Sequence, residues 1–289
     1  MTTSSNDTAA VSSVSAAPAR LPRQPTPDPE LEWLIERISS GYGFDVRAYK
    51  RSTLYRRIRK RMHDARCGSP REYLLRLEGD PEELQQLLST LLINITEFFR
   101  DPEAWEALRR LALEPLLQDR APDQPVRAWS VGCATGEEAY SLAMLLSGWT
   151  DAGGTLKLFA TDVSQPALAA ARTGTYPHSS LRNVSPDRLE RFFEPRTFGY
   201  AVRRELRAAV TFGAHDILRD PPISRLDLLV CRNVLIYLGR EAQHQVLRRF
   251  HYALREGGCL FLGKAETLMT RSHLFEPLDS RYRIFRRLP

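Results

Sequence analysis

The residues best placed to do chemistry sit at the ends of two short apolar runs. Val126–Val131 leads directly into Gly132-Cys133-Ala134-Thr135-Gly136-Glu137-Glu138, which opens an apparent helix. Leu156–Ala160 leads into Thr161-Asp162. A glycine turn after a first strand lets a ligand approach the backbone closely, and an acid ending the next strand can accept hydrogen bonds from two ribose hydroxyls. The spacing is G-x-x-x-G, not the G-x-G-x-x-G of dinucleotide enzymes. Two glutamates at the helix start would repel a pyrophosphate but tolerate a nucleoside that lacks phosphates. Taken alone, Asp162 serves equally well as a cap for the helix after Ser164, and Gly132 and Gly136 as a tight turn. Their succession in one strand–turn–helix–strand unit favours nucleoside binding.

The elements around this unit define two regions. From Glu30 to Ile93 the pattern is helical: Leu54, Ile58 and Met62 recur at i, i+4 and i+8, which places them on one face. Ser69-Pro70, Asp80-Pro81 and Asp101-Pro102 pair a cap residue with a proline whose missing N–H has no partner in a first helical turn. The stretch after Asp80 carries Leu84, Leu87, Leu88, Leu91 and Leu92, a stripe suited to a bundle. Beyond Pro125, β-type runs at 126–131, 156–160, 210–212, 226–231 and 259–262 alternate with helix-like stretches near 137–146, 165–172, 186–193 and 240–254. Such alternation predicts a mostly parallel sheet covered by helices on both faces. A small hairpin is expected within 194–207, and Arg281–Arg286 as a final strand at or near the sheet edge. Met1 to Pro29 is rich in Ser, Thr, Ala and Pro and is expected to be a disordered tail.

Composition narrows the functions. With 289 residues, 43% hydrophobic and 26% charged, the chain reads as globular, with room for one α/β domain and a small companion. The net charge of +6 suggests an acidic partner. Cys67, Cys133, Cys231 and Cys259 are scattered and form no CxxC pair, which argues against a zinc site or a disulfide framework. The six histidines show no ligand spacing, so no metal is expected. No charged-then-apolar leader opens the sequence and no apolar run is long enough to span a bilayer. A cytoplasmic protein without membrane insertion, acting as a monomer, is expected.

Five segments in order, Asn94-Ile-Thr96-Glu-Phe-Phe-Arg100-Asp101, Gly132 to Glu138, Ala160-Thr-Asp162, Val210-Thr-Phe212 through Asp216, and Cys231-Arg232-Asn233-Val-Leu-Ile-Tyr237, resemble the CheR-type chemoreceptor glutamate methyltransferases. Gly257-Gly258 through Gly263 also fits, and the resemblance runs from about Glu30 to Pro289. It implies an all-α domain at 30–93, then a Rossmann-like S-adenosylmethionine (SAM) domain at 94–289 with a small β subdomain. It implies methyl-ester formation on glutamates of receptor signalling helices, leaving S-adenosylhomocysteine. By motif, Asn94, Thr96, Arg100, Gly132, Glu137, Asp162, Asp216, Ile217, Arg232 and Asn233 would surround the cofactor, with Arg100 and Tyr237 nearest the reacting groups. Ala139 stands where relatives commonly have proline, and Asp216 where asparagine is frequent.

The chemistry implied asks little of the protein. A glutamate is already ionised at neutral pH, so alignment replaces a general base. Arg100 could hold one carboxylate oxygen with its planar fork; its plainer alternative is an ion pair with Asp101 or Glu97. Tyr237 could line the methyl channel or simply be buried. Lys50 to Arg66 carries eight cations against the single Asp64. The usual explanation is a solvated face, and the sharper one is docking of an acidic receptor helix through Arg56, Arg57 and Arg59. Two other functions compete: a nucleic-acid methyltransferase, for which no recognised RNA-binding motif is present, and a non-catalytic SAM-binding adaptor.

Overall fold

The computed structural model describes residues 27–41, 45–92, 94–118, 120–121, 123–266, 268 and 273–289. Most of the tail expected at 1–29 lies outside the described residues, and Pro29 heads the first helix. Helices α1 (Pro29–Gly41), α2 (Arg51–Asp64), α3 (Pro70–Gly79) and α4 (Pro81–Leu91) make a small bundle. Its core takes Leu34, Ile35 and Ile38 from α1, Leu54 and Ile58 from α2, and Leu87 and Leu91 from α4. Each such side chain contributes about 1.5–3 kcal/mol on burial. Ser69 and Asp80 cap their helices as the sequence predicts, accepting from Glu72 N and from Glu82 N and Glu83 N. Asp101 does not. Its backbone is left-handed (φ 58°) and its side chain makes no cap bond; it pairs with Arg232 instead.

Helix α5 (Pro102–Leu108) continues through a π-helical turn at Arg109–Leu113 into α6 (Glu114–Gln118). There follow β1 (Val126–Val131), α7 (Glu137–Asp151), β2 (Leu156–Asp162), α8 (Gln165–Thr173), β3 (Thr175–Tyr176) and α9 (Pro186–Phe192). The chain continues with β4 (Phe193–Arg196), β5 (Gly199–Val202), α10 (Arg204–Ala208), β6 (Val210–Ala214), β7 (Leu226–Cys231) and α11 (Arg240–Ala253). It closes with β8 (Leu254–Leu262), β9 (Phe275–Asp279) and β10 (Ile284–Arg287). The large sheet has the order β6-β2-β1-β7-β8-β10-β9. The strands β6, β2, β1, β7 and β8 pair in parallel, and β10 runs antiparallel between β8 and β9. The chain steps outward from β1 in one direction and then returns to place β7 on its other side. That reversal leaves a crevice beyond the carboxyl ends of β1 and β7, where open α/β sheets bind ligands.

One expectation changes. The final strand starts at Ile284, because Arg281–Arg283 forms a turn in which Arg283 has φ 60°. It lies beside the edge, as expected; the edge itself is β9, hidden in the sequence by Pro277, a residue that strands accept chiefly at edges. The hairpin expected at 194–207 is β4–β5, joined by β3 into a three-stranded antiparallel sheet.

The bundle meets the sheet domain through backbone. Tyr49 bridges Leu238, Lys50 N donates to Tyr237 O at 2.9 Å, and Gly239 N donates to Ala48 O at 2.7 Å. Inside the bundle the buried Glu83 carboxylate accepts two bonds from Arg61 at 2.7 Å and one from Tyr73 Oη at 2.8 Å. Arg61 holds the Glu83 carboxyl below its ordinary range, against burial that acts the other way. A carboxyl depressed in the folded state stabilises above its unfolded pKa, near 4.3, and loses that contribution as pH falls through the folded value. Glu83→Gln is therefore expected to cost about 2–3 kcal/mol at pH 7, with the difference from the parent shrinking below pH 4. Thermal unfolding at pH 7 and pH 3.5 checks this; an equal gap at both values contradicts it.

Candidate active site

A cleft of about 280 Å³ lies over the carboxyl ends of β1, β2, β6 and β7, and the helical bundle closes it with Asp45, Tyr49, Leu91 and Leu92. Its floor begins at the glycine turn. Gly132 has φ +67°, and a Cβ there would stand 2.5 Å from Val234 Cγ2. Gly136 has φ +97°, with Ala171 Cβ 2.9 Å from the position a Cβ would take. Both positions therefore need glycine on conformational and steric grounds.

Asp162 lies beside that turn. Its Oδ2 accepts from Ala134 N and its Oδ1 from Ser164 N, both at 2.8 Å. Ser164, not Asp162, caps α8. Burial pushes the Asp162 carboxyl up, while the backbone amides of Ser164, Ala134 and Val163 pull it down. Each carboxylate oxygen has a further acceptor position and the residue lines the cleft.

After β6, Asp216 and Ile217 line the next section of wall. Asp216 Oδ1 accepts from Leu218 N and its own N–H donates to Asp220 Oδ2, both at 2.8 Å. His215, which the sequence did not single out, lines the cleft there; its ring packs edge-on to Trp129, and among the described residues its buried Nδ1 has no hydrogen-bond partner.

The opposite wall comes from the segment before α5 and the turn after β7. Asn94, Thr96 and Arg100 all line the cleft, and Asn94 Nδ2 donates to Ser164 Oγ at 3.2 Å. The ion pairs that would have explained Arg100 are taken by other arginines: Asp101 pairs with Arg232 and Glu97 with Arg182. Among the described residues the Arg100 guanidinium has no hydrogen-bond or ion-pair partner. Arg232 lines the cleft, yet its guanidinium is engaged elsewhere. It donates to Arg100 O at 2.7 Å and to Asp101 Oδ2 at 2.6 Å, and it packs over Phe261 and Trp105. It thus fixes the backbone that carries Arg100. Asn233 adopts φ 62°, and Tyr237 completes the wall.

Two expected residues need correction. Glu137 does not face the cleft; it is buried and accepts from Thr135 Oγ1 at 2.6 Å. The next residue, Glu138, does face it, accepting from Ser130 Oγ at 2.9 Å. Burial drives the Glu138 carboxyl up to about 7, opposed by Arg232, Ser130 and Arg100 and reinforced by Glu266. Successive helix residues differ by about 100°, so one glutamate of an adjacent pair turns toward the cleft and sequence spacing does not choose which. Arg57 is the second correction. It is 7% exposed, so it cannot share a docking face with Arg56 and Arg59. Its guanidinium lies 5.2 Å from the Tyr237 ring centroid, and it donates to Leu91 O at the end of α4. Arg56 and Arg59 are exposed, with Arg59 paired to Asp28. Elsewhere on this basic helix Arg51 pairs with Glu32 and Arg61 with Glu83.

Glu266 was missed altogether, since nothing in Gly263-Lys-Ala-Glu266 marks a site. Its buried carboxylate accepts from Asn233 N (3.0 Å), Val234 N (2.8 Å), Leu235 N (2.7 Å) and Gly263 N (2.6 Å). It holds the turn after β7 in place.

Comparison with known proteins agrees with this arrangement. Residues 94–284 match the family model "CheR methyltransferase, SAM binding domain", and residues 29–92 match "CheR methyltransferase, all-alpha domain". A chemotaxis protein methyltransferase of Listeria monocytogenes is 32% identical over 247 residues, covering 84% of this chain and 92% of its own length. A chemotaxis protein methyltransferase of Klebsiella aerogenes is 32% identical over 279 residues, covering 93% of each. An uncharacterized 104.1 kDa protein from the hypE 3′ region of Rhodobacter capsulatus is 40% identical over 258 residues, covering 88% of this chain. The chain spans only 27% of that larger protein. With both regions matched in order, the chain belongs to the CheR methyltransferase family.

Proposed function

We propose that this protein transfers a methyl group from SAM to glutamate carboxylates on the cytoplasmic signalling helices of bacterial chemoreceptors, as part of chemotaxis-type adaptation. The observation that carries the reading is the unpartnered Arg100 guanidinium in the same cleft as the buried Asp162 carboxylate. One group suits an anionic acceptor and the other a ribose.

The cleft fits the cofactor on its own chemistry. Asp162 has acceptor positions left for two hydroxyls, and Gly132 leaves the backbone bare beside them. Asp216 and Ile217, next to the unpartnered His215 Nδ1, would hold the base. Asn94, Thr96 and Asn233 would hold the amino-acid end, and Glu138 supplies negative charge for a cationic ligand. When bound, SAM supplies an electrophilic methyl group. The chain's residues then have two tasks, to desolvate the acceptor carboxylate and to align one oxygen with that methyl. Arg100 would bind the other oxygen and so orient the group without needing to activate it. Tyr237 would line the path of the acceptor side chain. Arg232 acts one step back, holding Arg100.

The exposed cations of α2 form the docking surface in this reading, reduced to Arg56 and Arg59 with the neighbouring Lys60. The acceptor helix would be drawn to them by charge complementarity.

Incubation with methyl-labelled SAM and receptor signalling fragments is expected to give label that mild base releases as methanol; base-stable label on nucleic acid would contradict the reading. Arg100→Ala should lower kcat about 100-fold or more while leaving much of the SAM affinity. Asp162→Ala should weaken SAM binding itself, by about tenfold or more. Wild-type behaviour in both variants removes the site assignment. Arg56→Glu with Arg59→Glu should raise KM for the receptor about tenfold at low salt, less at high salt, with kcat unchanged; an unaltered KM at low salt removes the docking face.

Glu138 gives a pH dependence. Its folded pKa is raised to about 7, so ionisation opposes folding as pH climbs from its unfolded value toward and beyond 7. A cation in the cleft favours the ionised form. SAM affinity should therefore increase between pH 6 and pH 8, with a shallower dependence in Glu138→Gln. Calorimetric titration at several pH values tests it, and equal slopes in both proteins would exclude Glu138 from the binding site.

A further inference from the structure

The turn after β7 is a partition between two cavities. Arg232, Asn233, Val234 and Tyr237 face the cleft already described. Leu235 and Ile236 face a second cavity of about 270 Å³ on the other side, with Glu266, Gln243, Lys50 and Arg240 around it. The partition has little regular secondary structure of its own. It contains a left-handed residue, Asn233, and one short 3-10 turn over Leu235–Tyr237. Three successive N–H groups, at 233, 234 and 235, point to one place, and that place holds the Glu266 carboxylate with Gly263 N as its fourth donor. Among the described residues no cation forms an ion pair with Glu266, although it is 3% exposed. Four amide dipoles stabilise the buried charge in place of a counter-ion. Without that acceptor the three N–H groups of the turn would be orphaned in a buried setting.

From this convergence we infer that Glu266 is a positioning residue for the cofactor cleft. Its carboxylate sets the Asn233–Tyr237 wall from behind, and a small carboxylate from solution can take its place. The inference rests on reading the cleft as the SAM site, but not on the identity of the methyl acceptor. Glu266 acts through others: it fixes Asn233, the Val234 side chain that packs on Gly132, and the start of the turn ending at Tyr237. The second cavity gives the substitution test a route. It reaches Glu266 directly, and Lys50 and Arg240 on its lining favour approach of an anion.

The experiment uses the full chain carrying Glu266→Ala, with S-adenosylhomocysteine affinity read by calorimetry and folding by thermal melting. Affinity is expected to fall about tenfold, and added sodium formate to restore most of it in a saturable manner. Sodium chloride at matched ionic strength, and formamide as the neutral analogue of the same shape, should not. A residue that only staples the fold would lower the melting point without a formate-specific return of binding. A folded Glu266→Ala with wild-type affinity overturns the inference, as does a loss that formate leaves unchanged. If Glu266→Ala does not fold, Glu266→Gln keeps the volume while placing an NH₂ against N–H donors. It should fold, bind weakly and ignore formate; wild-type binding in it, or its failure to fold, overturns the inference equally. Parent protein that binds S-adenosylhomocysteine but methylates no receptor fragment would sink the acceptor assignment and leave this one standing.

Discussion

The cleft depends on one carboxylate that joins two turns. Asp162 accepts Ala134 N–H from the loop after β1 and Ser164 N–H from the loop after β2, each at 2.8 Å. Those loops diverge at the carboxyl ends of neighbouring parallel strands, where the last backbone bond from the β1 side runs from Cys133 N to Thr161 O at 3.0 Å. Nothing in the ladder fixes their separation beyond that point. A buried anion that accepts an amide from each loop does so, with acceptor positions to spare toward the cleft, and charged acceptors make the stronger bonds. The glycine turn, the start of α8 and the wall carried by Asn94 through Ser164 all follow from it.

The same solution recurs on the other side of the cleft. Glu266 gathers four amides and shapes the turn after β7. Arg232 is the counterpart of opposite sign, a buried cation held by a carbonyl, by Asp101 and by two aromatic faces. Because these groups are spent on backbone and on each other, they are unavailable to a ligand. Arg100 is left over, and its freedom is a consequence of Arg232 and Arg182 having taken Asp101 and Glu97. In the proposed reaction that leftover charge is what an acceptor carboxylate would meet.

The bundle is part of this arrangement and not an appendage. Backbone bonds join Ala48 and Lys50 to Gly239 and Tyr237, and Asp45 and Tyr49 help close the cleft. Helix α2 divides its cations by face. Arg57 turns inward under Tyr237, Arg51, Arg59 and Arg61 pair with Glu32, Asp28 and Glu83, and Arg56 remains in solvent. A run that reads as eight equivalent charges is therefore three kinds of residue once folded.

The alternation of strand and helix, the glycine turn, the acid after β2 and the order of the motifs were legible in the residues themselves, because period, capping and turn chemistry are local. The same holds for the caps at Ser69 and Asp80, and for the face shared by Leu54, Ile58 and Met62. What locality cannot reach is which of two adjacent side chains turns toward the cleft and who partners whom across the chain. Glu138 and not Glu137 faces the cleft because packing of α7 sets its rotation. Arg57 is buried because α4 and Tyr237 lie over it, and β9 is the edge because β10 folds back inside it. Asp101 gives up its capping role to an arginine 131 residues away, and Glu266 binds a turn 31 to 33 residues behind it. Sequence alone determined the family and the kind of chemistry; tertiary structure decided which charges are spent and which stay free, since a buried charge takes its partner from whatever folding brings near.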